Sequence, residues 1–183
     1  MHSLAGHLLV ASPQLADPNF ARALVLLIEH SRDGAFGVVV NHPLQKTIQE
    51  LWREVGSSPC HTRQPIYLGG PVPGPLMSLH NRPPLAEIEP APGVFFAAKK
   101  THLDTLVLSE EPSYKLFIGH AGWGAGQLES EIDQGAWRTM PATAEAVFST
   151  DDTLWETVFR QIGHTLLKSM LHMKDLPPDP TVN

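Results

Sequence analysis

Short apolar runs, separated by glycine, proline and polar residues, follow one another along the chain, and this pattern predicts β-strands joined by turns. The most hydrophobic run covers residues 23–28. It is too short for a typical helix and shows no polar alternation, so we expect both of its faces to be buried. A second run, residues 36–40, follows after Asp33-Gly34. Because glycine adopts the positive φ that a tight turn requires, the two runs are predicted to form an antiparallel hairpin at the centre of a sheet.

Further strands and the first helices are predicted from the same kind of pattern. The other strand candidates are residues 6–11, 66–68, 76–80, 94–98, 115–118 and 137–140. Thr47 and Glu50 have the spacing of a capping box, which satisfies two free N–H groups at the start of a helix. A second helix is predicted to open near Thr101, and a third to contain Leu128 and Ile132 on one face.

The clearest helix is predicted to begin near Asp151. Its apolar stripe consists of Leu154, Trp155, Val158, Phe159 and Ile162, and it can continue past Gly163 through Leu166, Leu167 and Met170. Residues 175–183 contain three prolines, which cannot extend a helix, so we expect a flexible tail there. Together the elements predict an α+β fold: a single domain over residues 1–174, with a mixed, largely antiparallel central β-sheet flanked by helices.

Composition narrows the function classes. The 183 residues include 13 Lys and Arg against 19 Asp and Glu, which gives a net charge of −6. An acidic chain without a basic run disfavours nucleic acid as a partner. No apolar run approaches the roughly 20 residues that cross a bilayer, so we expect no membrane partner. The one cysteine, Cys60, excludes an intramolecular disulfide, and we expect a cytoplasmic protein.

The ten histidines do not show the spacing of a metal site. No His-Glu-x-x-His motif occurs, and Cys60-His61 has no second cysteine beside it. We therefore expect no metal and no cofactor. His30, His80 and His120 each follow a predicted strand, so they either share a site or cap strands where these reach water.

The glycine-rich segment of residues 119–126 runs from a predicted strand into a predicted helix. Free N–H groups in such a turn can cradle an anion, but Glu129 and Glu131 in the first helical turns would repel a phosphate. Nucleotide binding is therefore disfavoured. Two interpretations stay open: a turn that contacts a ligand, or a tight strand–helix corner packed by Trp123.

The hairpin decides which polar groups can meet. Glu29 and His30 lie at its turn, whereas Asn41 lies at its other end beside Arg22. A strand rises about 3.4 Å per residue, so His30 and Asn41 cannot share a small pocket. Arg22 and Asn41 can share a site. The alternative is that Arg22 binds a nearby carboxylate and Asn41 caps the turn at Pro43.

The ordered set of motifs resembles the AlgH/YqgE-like family of bacterial proteins. The matching residues are Gly6-His7-Leu8-Leu9-Val10-Ala11, Asp17, Phe20-Ala21-Arg22, Glu29-His30, Gly34-Ala35-Phe36-Gly37, Asn41-His42-Pro43, Gly69-Gly70-Pro71-Val72, Leu79-His80, Gly119-His120-Ala121-Gly122-Trp123, Gly126-Gln127-Leu128-Glu129, Trp137 and Phe148. His42 departs from the pattern, since the family usually places arginine there. The resemblance implies a compact α+β domain with a largely antiparallel sheet and no known reaction; its regulatory label comes from one member.

Our first hypothesis is a non-enzymatic binding or regulatory domain with a pocket for a small molecule or a protein. The predicted lining residues are Arg22, Asn41, Gly69, Gly70, His80, His120, Trp123, Gln127 and Glu129. This hypothesis requires Arg22, Asn41 and Trp123 to meet at one edge of a sheet. The alternative is a hydrolase with His120 or His80 as general base and Glu129 orienting it. Direct DNA binding is a third, disfavoured interpretation, and the oligomeric state stays open.

Overall fold

The computed structural model of the protein describes residues 2–56, 58–109 and 113–174. Its strands are β1 His7–Ala11, β2 Leu24–Ser31, β3 Gly34–Val39, β4 Pro43–Thr47, β5 Pro65–Leu68, β6 Met77–His80, β7 Ile88–Ala91, β8 Val94–Ala97, β9 Tyr114–Ile118, β10 Ala121–Gly124 and β11 Trp137–Pro141. Its α-helices are α1 Ile48–Val55, α2 Lys100–Val107, α3 Gln127–Asp133, α4 Ala144–Phe148 and α5 Leu154–Lys174.

The strands form two sheets, and the α+β class is confirmed. The first sheet has the order β10-β3-β2-β1-β11 and is antiparallel throughout. The second has the order β4-β5-β9-β6-β8-β7, in which only the β5–β9 pair is parallel among the described residues. The expectation of one central sheet is corrected here, because the chain leaves one sheet for the other after β3 and again after β9.

The two sheets pack face to face around the main core. Leu26 of the first sheet and Leu79 and Phe117 of the second are fully buried in this shared cluster. Alternate residues of β2, such as Val25 and Leu27, face a second cluster on the outer side of the first sheet. Because β2 is covered on both faces, its apolar run needs no alternation, as predicted.

Two other predictions from the sequence are confirmed. The hairpin of β2 and β3 pairs Ser31 with Gly34 at its turn. At the start of α1, the backbone N–H of Thr47 donates to the Glu50 carboxylate at 2.7 Å, and the N–H of Glu50 donates to the Thr47 hydroxyl at 3.3 Å. These two bonds form the predicted capping box.

Three strands of the structure, β4, β7 and β10, were not predicted. Each of them lies at an edge of its sheet. An edge strand bonds on one side only, so it tolerates Pro43, Pro90 and the glycines of β10, which obscure a strand pattern. α5 continues past Gly163, as its stripe allowed. The tail predicted for residues 175–183 lies outside the described residues.

Over the part of the chain that the structure describes, no helix combines the length and the apolar character that crossing a bilayer requires.

Candidate functional site

Arg22 and Asn41 meet at the open end of the hairpin, as the sequence predicts. The Asn41 side chain accepts the N–H of Leu24 at 2.8 Å and donates to the carbonyl of Arg22 at 2.9 Å. Arg22 has a φ of +54°, which is uncommon for a residue other than glycine. Asn41 therefore holds the chain in a left-handed turn before β2, instead of capping the turn at Pro43.

The Arg22 side chain turns towards α5. Its guanidinium contacts the carboxylate of Glu156 and lies 5.1 Å from the ring centroid of Trp155. The alternative in which Arg22 binds a nearby carboxylate is thus confirmed. Outside this contact the Arg22 side chain remains 63% exposed.

Gly69 and Gly70 lie where two segments of chain cross between the sheets. A Cβ on Gly69 would stand 2.3 Å from the carbonyl oxygen of Gly119, and one on Gly70 would stand 2.3 Å from that of His120. Gly70 also has a φ of +152°. Close backbone approach explains why both positions are glycine.

Trp123 is held by a single carboxylate on α3. Its indole N–H donates to Glu131 at 2.9 Å, and the indole N–H of Trp137 donates to the same oxygen at 2.8 Å. The Gln127 amide donates to the other oxygen of Glu131 at 2.9 Å, while its own oxygen accepts the N–H of Gly124 at 3.1 Å. Glu131 thereby joins α3 to β10 and β11.

A cavity of about 230 Å³, which we call the aromatic pocket, lies beside this network. Its lining residues are Leu15, Asp17, Phe20, Pro71, Gly122, Trp123, Gln127, Glu131 and Trp137. The ring of Phe20 lies 6.2 Å from that of Trp123 and 5.3 Å from that of Trp137, measured between centroids. Three aromatic residues and two acidic residues, Asp17 and Glu131, therefore line one small space.

A larger and more open cavity of about 590 Å³ also touches Trp123. It lies at the turn of the hairpin, where Glu29 and Asp33 are among its lining residues. Both cavities therefore carry acidic groups, and neither has a lysine or arginine among its described lining residues.

The structure does not bring Arg22, Asn41 and Trp123 to one edge of the sheet. Trp123 pairs with Ala35 near the turn of the hairpin, whereas Asn41 follows the far end of β3. Six residues of extended chain separate Ala35 from Asn41, which is about 20 Å. Trp123 belongs to the outer cluster, and the Trp155 ring under Arg22 belongs to the core between the sheets. The predicted lining residues thus divide into separate groups.

Glu129 pairs with His30, which is not one of the predicted partners. The His30 Nε2 lies 2.9 Å from a Glu129 oxygen, and its Nδ1 lies 2.8 Å from the backbone nitrogen of Leu4. Because the N–H of Leu4 donates to Nδ1, the ring proton sits on Nε2 and is donated to Glu129. The N–H of Glu129 itself and the His30 ring lower the pKa of Glu129. Both nitrogens of His30 are therefore engaged within the fold.

His80 is fully buried on the other side of the molecule. Its Nδ1 accepts the N–H of Arg82 at 3.2 Å, and its ring lies 6.0 Å from that of Phe95. Burial, reinforced by the neighbouring His102, lowers the pKa of His80 to about 4. His80 is thus a neutral core residue of the second sheet, away from Glu129.

His120 lies at the crossing between the sheets. Its ring is 5.1 Å from that of Phe36, which packs against the core between the sheets. Its Nδ1 is buried and has no hydrogen-bond partner among the described residues. Neither His120 nor His80 contacts Glu129 in the described hydrogen bonds, so the arrangement expected of the hydrolase is not formed.

Of the residues that line the aromatic pocket, sequence reasoning selected Trp123 and Gln127 and missed the others, among them Asp17, Phe20, Glu131 and Trp137. Gln127 and Glu131 are four residues apart on one helix and share a face, which was a usable signal. β10 and β11 each place an indole ring against this face of α3. Their positions depend on strand pairing between distant parts of the chain, which the local pattern does not reveal.

Lys115 on β9 was also missed. It is only 4% exposed, and its ammonium donates to the carbonyls of Val40 at 2.8 Å and Ser149 at 2.6 Å. The same nitrogen lies 4.5 Å from the ring centroid of Tyr67. Lys115 shares the inward face of β9 with Phe117, and a lysine at such a position is a detectable exception to the pattern.

Within residues 2–56, 58–109 and 113–174, no three histidine, cysteine or acidic residues form a group that could hold a metal ion.

Comparisons with known proteins agree on one family. The sequence profile described as AlgH-like matches residues 8–167 of this chain. A UPF0301 protein of Myxococcus xanthus is 40% identical over 168 residues, which cover 89% of this chain and 93% of that protein. A UPF0301 protein of Anaeromyxobacter dehalogenans is 38% identical over 174 residues, which cover 87% of this chain and 88% of that protein.

Solved structures resemble this one as well. The solution structure of the AlgH protein from Pseudomonas aeruginosa has a TM-score of 0.69 and 29% identity, covering 85% of this chain and 86% of that one. A crystal structure of a protein from Corynebacterium diphtheriae has a TM-score of 0.65 and 26% identity, covering 88% of both chains.

Proposed function

The chain belongs to the AlgH-like family, and we propose that it is a non-enzymatic binding protein whose site is the aromatic pocket. The observation that carries this proposal is one cavity of about 230 Å³ that is lined by three aromatic and two acidic residues. The hydrogen bonds of Glu131 join α3 to β10 and β11, and beside them this cavity is left for a ligand.

The lining selects a positively charged group. Aromatic faces attract cations, and the attraction grows when the cation is removed from water. The carboxylates of Asp17 and Glu131 add negative charge on the same cavity. Drug-sized ligands need about 300–1,000 Å³, so this cavity suits a smaller group. We therefore assign it to a small organic ammonium or guanidinium ion, or to one basic side chain of a partner.

Binding is favoured over hydrolysis by the surroundings of Glu129 and of the candidate bases. Glu129 is engaged by His30, so it does not orient His80 or His120. The Nδ1 of His120 and the Nε2 of His80 have no hydrogen-bond partner among the described residues, but both are buried, and a general base must reach the proton that it removes. These observations favour a protein that acts through what it binds.

We also propose that the protein works in the cytoplasm. Cys60 is the single cysteine of the chain and is buried. Burial raises the pKa of its thiol, which keeps it protonated and unreactive. An unpaired, buried thiol is typical of proteins from a reducing compartment.

The test is a titration with n-butylammonium, followed by the indole N–H signals in nitrogen–proton NMR spectra. We expect the signals of Trp123 and Trp137 to shift, because their rings line the pocket, while those of Trp52 and Trp155 stay in place. The neutral analogue n-butanol should shift them much less, since it lacks the charge. Equal shifts with both probes, or no selective shift, would contradict the proposal.

A matched pair of variants tests the charge. Asp17→Asn keeps the side-chain oxygen that accepts the N–H of Asn19 but removes the charge beside the cavity. We expect it to weaken n-butylammonium binding about fivefold, which corresponds to roughly 1 kcal/mol. Asp133→Asn removes an exposed charge on α3 outside the pocket lining and should leave the affinity unchanged.

A further inference from the structure

α5 carries an apolar surface that the body of the protein does not cover. The helix begins against the core, where Trp155 and Val158 are buried. Beyond Gly163 the described side chains are exposed, and Leu166 and Leu167 are 49% and 60% exposed. Twenty-one residues make a helix of about 31 Å, so its second half extends along the surface.

A groove of about 480 Å³ runs along this helix. Its lining residues are Trp155, Glu156, Phe159, Arg160, Gly163, His164 and Leu167. These positions form two rows with a spacing of four residues, and the groove lies between the rows. Helices most often pack by placing the four-residue rows of one helix into such grooves of the other, at about −50°. The shape of the groove is therefore that of a helix-binding surface.

Gly163 lies within this groove and leaves it open. A Cβ built on Gly163 meets no atom of the described residues within 4 Å, so none of them fills the space above the helix at this point. A glycine in the middle of a helix costs about 1 kcal/mol relative to alanine. Close approach of a second helix at this point would explain why residue 163 is a glycine.

The charges of α5 indicate what the second helix is. Asp151, Asp152 and Glu156 lie at its start, whereas residues 157–174 contain Arg160, Lys168 and Lys174 and no acidic residue. The helix dipole favours this order of charges but does not account for exposed leucines. When two copies of α5 cross about a two-fold axis, the acidic half of each lies over the basic half of the other. The helix is thus complementary to itself.

We propose that the protein forms a symmetric dimer in which α5 of one copy crosses α5 of a second copy at Gly163. Leu166 and Leu167 are covered in this arrangement, and the opposite charges of the two helix halves fix an antiparallel orientation. The surface shares no residue with the lining of the aromatic pocket, so the dimer does not depend on the proposed function.

Sedimentation of the full chain over a range of concentrations tests the dimer. We expect the dimeric fraction to rise with concentration and to fall at high salt. Leu167→Asp should shift the protein to the monomer, because the charge would be buried between helices. Leu108→Asp is the matched control, since Leu108 is 47% exposed at the end of α2, and it should sediment like the wild type. A monomer at every concentration, or a dimer that Leu167→Asp leaves intact, would overturn the proposal.

Disulfide trapping tests the geometry. Two Gly163→Cys side chains would face each other at the crossing, so oxidation should link the copies covalently. Thr165→Cys places its thiol on the other side of the helix and should not cross-link, while Cys60 is buried in both proteins. Failure of Gly163→Cys to cross-link, or equal cross-linking of both variants, would overturn the crossing. Helix content measured by circular dichroism confirms that each variant is folded.

Discussion

At the scale of single residues, Lys115 is the most unusual group in the core. Its ammonium is surrounded by two carbonyls and the Tyr67 ring, yet burial lowers its pKa to about 7 from an ordinary value of 10.5. The unfolded chain therefore holds a proton between these pH values that the folded chain has lost. Stability consequently rises with pH above 7, by at most about 1.4 kcal/mol per pH unit.

The variant Lys115→Met should flatten this rise, because it removes the group that loses its proton on folding. Urea unfolding between pH 7 and 8 measures the slope, below the range in which most of the cysteine and the tyrosines titrate. Lys46→Met removes a lysine from an exposed ion pair and should keep the slope of the wild type. If Lys115→Met retains that slope as well, Lys115 stays protonated in the folded protein, and the statement that burial lowers its pKa is contradicted.

At the scale of elements, Glu131 fixes α3 against two strands of the first sheet. In Glu131→Gln one oxygen can still accept both indole N–H groups, but the new amide nitrogen then faces the amide nitrogen of Gln127. Two donors facing each other lose a hydrogen bond, so we expect a loss of about 1–3 kcal/mol in the free energy of unfolding. Thermal or urea unfolding measures this loss.

Glu145→Gln on α4 is a suitable control for that experiment, because Glu145 is exposed and its side chain takes part in no described hydrogen bond. An equal effect of the two substitutions would show that Glu131 contributes only its charge. If the pocket binds n-butylammonium, Glu131→Gln should also weaken binding, whereas Glu145→Gln should not.

Local patterns predicted the elements that depend on local contacts. The β2–β3 hairpin follows from Asp33-Gly34 and its flanking apolar runs, and the start of α1 follows from Thr47 and Glu50. The aromatic pocket depends on β10 and β11, which stand at opposite edges of one sheet and are joined through α3. The local sequence pattern does not show that β10 and β11 both reach α3. Trp123 was therefore predicted as a lining residue and Trp137 was not.

At the scale of the whole molecule, the chain passes between two sheets, and this passage could not be predicted from the sequence. The apolar runs predicted strands and the α+β class, but they do not state which strands are neighbours. The glycines at residues 69, 70 and 119 were considered as part of a ligand site, whereas they let two segments cross in close contact. A glycine that is needed for close packing and a glycine that is needed for ligand binding look the same in the sequence, so the sequence alone could not distinguish the two roles.

The close contact of the two chain segments at Gly70 predicts that any side chain there lowers the free energy of unfolding strongly. Its φ is +152°, and a Cβ would approach the His120 carbonyl to 2.3 Å, so Gly70→Ala combines backbone strain with a clash between main chains. We expect a loss of more than about 3 kcal/mol in the free energy of unfolding. Gly93→Ala is the matched control, since Gly93 has a φ of +73° and no described atom lies within 4 Å of the added Cβ. It should cost about 1 kcal/mol. Urea unfolding of both variants separates strain from clash, and equal losses would mean that the two sheets can move apart at the crossing.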